Sequence, residues 1–145
     1  MMALPGFVPH AGQGIMQYGF YWLLRFSSIR FPSFAERLRE KDFSFEMRVK
    51  DGSERRFYTV TGGKVRSCLW GGGEPTFSLV WATAEDGNRT MTEIMTAKPK
   101  ALMKAVIAGK LFLEGDASMV GWFLETLNAM NRLYRKKPEK PRSAA

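Results

Sequence analysis

Hydrophobic and polar positions change their period twice along this chain, and the changes predict where helices give way to strands and back. Apolar side chains in residues 14–31 cover the whole circumference of a helix, which is typical of a helix buried on several sides. Residues 33–41 form a clearer amphipathic helix, where Ser33 and Glu36 have the spacing of a capping box. The chain is therefore predicted to begin with two helices.

A period of two follows and predicts four strands. Asp51–Gly52 and Gly62–Gly63 lie between alternating segments and are typical hairpin turns. We expect a meander of antiparallel strands with one polar face, which needs helices on its other face. The predicted strands are Phe43–Val49, Arg55–Val60, Lys64–Trp70 and Pro75–Trp81.

The stretch Lys100–Met130 predicts a short helix, a short strand over Lys110–Glu114 and a long apolar helix. Gly109 follows the short helix, where a positive φ is easily adopted, and Asp116 or Ser118 can cap the long one. Upstream, Thr90 and Glu93 have the spacing of a second capping box.

The long helix has an apolar arc of about 200°, roughly twice the stripe of a helix that rests on one core. Two interpretations stay open for it. Neighbouring elements bury it on two sides, or one flank is offered to a lipid, a membrane or a second subunit.

The aromatic helix at residues 15–30 also has two interpretations. Gln17, Arg25 and Arg30 interrupt it too often for a membrane span. Its tryptophan and tyrosine content suits a bilayer interface, whereas burial in the domain or in a homodimer would equally explain an apolar circumference.

Length and charge add an arm and a tail to this picture. The 145 residues suffice for one domain, which we place at 14–134, preceded by a flexible arm at 1–13. The net charge of +8 is concentrated near the end, and the basic segment 135–145 is predicted to be disordered. This tail either aids solubility or attracts anionic lipid. Nucleic acid is the weakest candidate partner, since aromatic residues do not alternate with the basic ones.

No catalytic or metal-binding motif is found in the sequence. Cys68 is the single cysteine and His10 the single histidine, too few for a zinc site. One cysteine also fits a reducing compartment, and residues 1–13 lack the pattern of a signal peptide. We therefore expect a cytoplasmic protein, peripheral at the membrane if it binds one, that is not an enzyme and has no cofactor.

The span from about Asp42 to Met130 resembles the sterol carrier protein 2 family of lipid-binding domains. The resemblance rests on FSFEMRVKDGSERRFYTV, on GGKV at 62–65 and above all on GKLFLEGDASMVGWFLETL at 109–127. Two features depart from the family. Ala97–Lys98 stands where members commonly have an earlier Gly-Lys, and the helix at 15–30 lies outside the common core.

The resemblance implies an α+β fold, with a mixed, mainly antiparallel five-stranded sheet covered on one face by helices. Between them it implies a hydrophobic tunnel for sterols, fatty acids, acyl-CoA or isoprenoid lipids. The alternative is an accessory module that binds a protein partner through the same apolar surfaces. Predicted lipid-binding residues are Phe77, Leu79, Trp81, Ile94, Met95, Leu102, Met103, Val106, Met119, Phe123, Leu127 and Met130. Predicted membrane or partner contacts are Tyr18, Phe20, Tyr21, Trp22, Lys136 and Lys137.

Overall fold

A computed structural model of the chain describes residues 9–69 and 73–136. The first helix begins at Pro9, so residues 9–13 of the predicted arm are helical, while residues 1–8 lie outside the described part. The last helix ends at Arg135, which the sequence analysis placed in the tail. Only Lys136 follows it among the described residues. The elements in chain order are α1 (Pro9–Arg30), α2 (Pro32–Arg39), β1 (Phe43–Val49), β2 (Arg55–Thr61), β3 (Lys64–Cys68), β4 (Phe77–Trp81), α3 (Ala84–Met95), α4 (Ala101–Ile107), β5 (Leu111–Gly115) and α5 (Ala117–Arg135).

The five strands form one mixed sheet in the order β3-β2-β1-β4-β5. β1 and β4 are parallel, with Phe45 opposite Phe77, and the other pairs are antiparallel. The predicted five-stranded mixed sheet is therefore confirmed. The simple meander is wrong, because β4 pairs with β1 and β5 instead of β3. Every residue of β4 is buried, as expected for a strand with a parallel neighbour inside a sheet.

Helices α1 and α5 cover the same face of the sheet through a cluster of rings that we call the aromatic core. Phe45 lies at its centre, with ring centroids 4.5 Å from Tyr58, 5.3 Å from Phe77 and 4.8 Å from Phe123. These pairs are stacked or tilted, geometries that favour ring packing. The aromatic core consists of Phe20, Phe43, Phe45, Tyr58, Phe77 and Phe123, all buried.

Tyr58 also ties α1 to the sheet by a hydrogen bond. Its hydroxyl donates to the carbonyl oxygen of Gln17 at 2.6 Å. Burial raises the pKa of Tyr58 well above its ordinary value, because a phenolate in an apolar core is poorly solvated. The phenol therefore keeps its proton and remains a donor.

The helix starts were predicted with mixed success. Asp116 caps α5, since its carboxylate accepts from the backbone N–H of Ser118 and Met119. The capping box of Ser33 is wrong, because α2 begins at Pro32 and Phe31 precedes it without a side-chain cap. The box of Thr90 and Glu93 is also wrong, since both lie inside α3. The N-terminus of α3 is instead capped by Thr83, whose side-chain oxygen accepts from the backbone N–H of Asp86.

Candidate functional site

The sheet residues of the predicted lipid site lie in filled space. Phe77, Leu79 and Trp81 point from β4 towards the helices and are fully buried, and Phe77 and Phe123 belong to the aromatic core. Met130 is likewise fully buried in the hydrophobic core. These side chains pack against one another under the helices. Met119 and Val106 lie at the edge of the same core, half-buried.

Other predicted residues converge between α3, α4 and α5, in a region that we call the helical seam. It encloses a small pocket of about 10 Å³, which is close to the space that one water molecule occupies. The four predicted members come from three separate helices. The pocket is lined by Ile94, Lys100, Ala101, Leu102, Met103, Leu124, Leu127, Asn128 and Asn131.

One polar side chain of the helical seam was missed by the sequence analysis. Asn131 is 3% exposed, and its Nδ2 donates to the carbonyl oxygen of Lys98 at 3.3 Å. Within 9–69 and 73–136 its Oδ1 has no hydrogen-bond partner, and neither has the buried Nε1 of Trp81. The available signal was positional, because Asn131 continues the apolar stripe of Leu124 and Leu127 on α5.

Beside the helical seam lies an open cleft of about 410 Å³ between α1, the end of α3 and the end of α5. We call it the side cleft. Ile94 lines both this cleft and the seam pocket, so the two spaces meet at this residue. Met95 is 38% exposed at the cleft. The lining is Leu23, Phe26, Ile94, Met95, Thr96, Ala97 and Tyr134.

The side cleft continues onto an exposed apolar stripe of α1, the α1 outer face. Its residues recur every three or four positions and therefore share one side of the helix. No helix in the described ranges is long and apolar enough to cross a bilayer. The α1 outer face consists of Ile15, Tyr18, Trp22, Phe26 and Ile29, which are 47–75% exposed.

Among the predicted membrane or partner contacts, the assignment of Phe20 is wrong. It is fully buried, because it faces the sheet from the opposite side of α1 and stacks edge-on to Phe45. Tyr18 and Trp22 are exposed and Tyr21 is half-buried. Lys136 is exposed, and Lys137 lies outside the described residues.

The loop between α3 and α4 has a left-handed backbone at two residues that are not glycine. Ala97 has φ +59° and Lys100 has φ +57°, a conformation that residues other than glycine rarely adopt. A glycine at 97 would adopt this φ without strain. α4 ends before Gly109, also at positive φ (+75°), as its position predicted. α4 is thus bounded on both sides by left-handed residues.

The open face of the sheet carries charges that satisfy one another. Glu46, which is 7% exposed, accepts from Arg55 at 2.7 Å and from Arg48 at 2.8 Å. Burial lowers the pKa of Arg48, but its bonds to Glu114 and Glu46 outweigh that effect and the pKa is raised. The carboxylate of Glu46 therefore has a structural role, since it links β1 to β2 through Arg55. No cluster of metal-ligating side chains occurs in the part of the chain that the structure describes.

Comparison with known proteins identifies the fold. No family model matches the chain, and no curated protein matches its sequence. Among solved structures, a UbiJ-SCP2 ubiquinone synthesis protein aligns with a TM-score of 0.58 and 18% identity, over 80% of this chain and 96% of that one. The sterol carrier protein domain 2 of Helicoverpa armigera aligns with a TM-score of 0.57 and 14% identity, over 86% and 93%. The chain has the sterol carrier protein 2 fold, as the resemblance implied.

Proposed function

We propose that this protein binds a single apolar lipid chain between α1, α3, α4 and α5, without catalysing a reaction. The observation that carries the proposal is the meeting of the side cleft and the seam pocket at Ile94. A cleft of this volume is within the range of small-molecule sites. A rotation of Ile94 with a shift of Met103 would join the two spaces into one apolar channel, since methionine adapts readily to new shapes.

The fold supports the proposal from a second direction. One structure that it resembles is that of a UbiJ-SCP2 ubiquinone synthesis protein, and another is that of a sterol carrier protein domain. We propose a sterol, fatty acyl or isoprenoid chain as ligand, bound in the cytoplasm. Burial of such a chain gains roughly 0.8 kcal/mol per CH₂ before ordering costs.

Native mass spectrometry of the purified protein, with organic extraction of whatever co-purifies, tests lipid binding. We expect an apolar adduct, and we expect Met103→Glu to weaken it by placing a charge at the seam pocket. Ile107→Glu is the matched control, because Ile107 lies on the same helix but is 80% exposed. Protein that takes up neither fatty acid nor isoprenoid would contradict the proposal.

We further propose that the α1 outer face rests on an anionic membrane while the ligand enters through the side cleft. Exposed tryptophan and tyrosine suit the bilayer interface, and Arg25 and Arg30 on the same helix complement anionic head groups. The residue shared by both surfaces is Phe26. The side cleft would therefore open where the protein meets lipid.

Flotation with vesicles of phosphatidylglycerol and phosphatidylcholine tests this contact. Trp22→Glu should reduce the bound fraction severalfold, because a charge replaces an interfacial ring. Phe112→Glu should not reduce the bound fraction. Phe112 on β5 is also exposed, at 41%, but it lies on the face of the sheet that points away from the helices. Equal loss from both variants would overturn the membrane assignment. A dimer whose association depends on Trp22 would also overturn it and would indicate a protein contact instead.

A further inference from the structure

The carboxamide of Asn131 is fixed in one orientation by its neighbour. The backbone carbonyl of Lys98 can only accept a hydrogen bond, so the nitrogen of the carboxamide must face it. The oxygen Oδ1 is thereby turned away from Lys98. Within the described ranges it meets no donor, although the residue is 97% buried. A buried acceptor without a donor is unfavourable, which marks this atom as one that a ligand could satisfy.

The surroundings of Asn131 are apolar on one side. Leu127 lies one turn before it on α5, and Leu102 and Met103 of α4 line the same pocket. Met103 is 41% exposed, so this lining side chain is not held on all sides by neighbours. Left-handed residues bound this short helix on both sides, which places candidate pivots at Lys100 and Gly109.

We propose that Asn131 recognises the polar end of the bound lipid, as the acceptor for a terminal hydroxyl. This inference rests on the proposed function and names the class of its ligand, a single apolar chain that ends in a hydroxyl. The chain lies among Leu102, Met103 and Leu127, and α4 moves outward to admit it. A carboxylate cannot take the place of the hydroxyl at Oδ1 at neutral pH, because it offers acceptors alone, so a fatty acid would bind without this hydrogen bond.

Three probes of equal chain length test the proposal by isothermal titration calorimetry at pH 7. They are 1-dodecanol, dodecyl methyl ether and dodecanoate. We expect the alcohol to bind about five- to tenfold more tightly than the ether, the range of one net hydrogen bond, and more tightly than dodecanoate. In Asn131→Leu the alcohol and the ether should bind equally, with the ether no weaker than before.

Asn88→Leu is the matched control, because Asn88 is a half-buried asparagine on α3 that does not line the seam pocket. It should keep the preference for the alcohol. If Asn131→Leu does not fold, Asn131→Ala removes the same acceptor. Equal binding of alcohol and ether by the wild type, tighter binding of dodecanoate, or a preference that survives loss of Asn131 would overturn the assignment while leaving lipid binding intact. Failure of all three probes to bind would overturn both proposals.

Discussion

The aromatic core and the helical seam are both built from apolar side chains between sheet and helices, but they differ in how completely those side chains fill the space. Around Phe45, the rings of Tyr58, Phe77 and Phe123 pack at centroid distances of 4.5–5.3 Å. In the helical seam, a small pocket remains beside partly exposed Met103 and the oxygen of Asn131, which has no hydrogen-bond partner among the described residues. Rings with fixed shapes fill the aromatic core, whereas the more flexible side chains of the helical seam, such as Met103, leave room to rearrange.

Truncation of the aromatic core should have the largest effect on stability. Phe45→Ala removes a fully buried ring at the centre of the cluster and should lower the free energy of unfolding by roughly 3–5 kcal/mol. Denaturant titration measures it. Met103→Ala in the helical seam should cost under half as much, and equal losses would contradict the difference between the two regions.

Gly115 should show the next largest effect, because it sets the corner between β5 and α5 above the core. It has φ +107°, and an added Cβ would lie 2.6 Å from the carbonyl oxygen of Thr76. Gly115→Ala should therefore destabilise the fold by about 2 kcal/mol or more. Gly121→Ala is a suitable control in α5, where an added Cβ meets open space. Comparable thermal unfolding of the two variants would contradict the close approach.

Tyr58 should make stability depend on pH in the alkaline range. Its pKa is raised in the folded protein from an ordinary value of 10.0, so above that pH the unfolded chain releases a proton that the folded protein retains. Stability should therefore fall as pH rises above about 10, at up to roughly 1.4 kcal/mol per unit. Tyr58→Phe should lack this component, so its stability difference from the wild type should shrink between pH 9 and pH 11. A constant difference would contradict burial of the phenol.

Asn131→Leu should have the smallest effect on stability and tests how rigid the helical seam is. It removes a weak bond to Lys98 together with an unsatisfied buried oxygen. These changes oppose each other, so the free energy of unfolding should change by less than about 1 kcal/mol. A loss as large as that of Phe45→Ala would mean that the helical seam is as rigid as the aromatic core.

Local patterns in the sequence predicted the elements that local residues determine. Lys100–Met130 folds as the helix, strand and helix that its periodicity indicated, with Gly109 at positive φ and Asp116 as the cap. The wide apolar arc of α5 corresponds to burial against the sheet, α2 and the seam, which was one of its two interpretations. The pattern also predicted β4 as a strand with Phe77, Leu79 and Trp81 on one face, but not that its other residues are buried as well.

Long-range features could not be read from the same patterns. Pairing of β4 with β1 depends on which strand edges meet, and a period of two carries no such information. That no donor in the described part of the chain reaches Oδ1 of Asn131 is visible only when three helices are brought together. In α1, period alone could not divide one apolar circumference into a buried side at Phe20 and an exposed side at Trp22.

Photo-crosslinking with a 12-carbon alcohol that carries a diazirine in its chain, followed by peptide mapping, shows whether lipid binds in the helical seam. We expect crosslinks to residues 100–107 and 124–131, which line the two sides of the helical seam, with competition by unlabelled 1-dodecanol. Crosslinks confined to the α1 outer face or to the open face of the sheet would contradict a lipid site between α4 and α5.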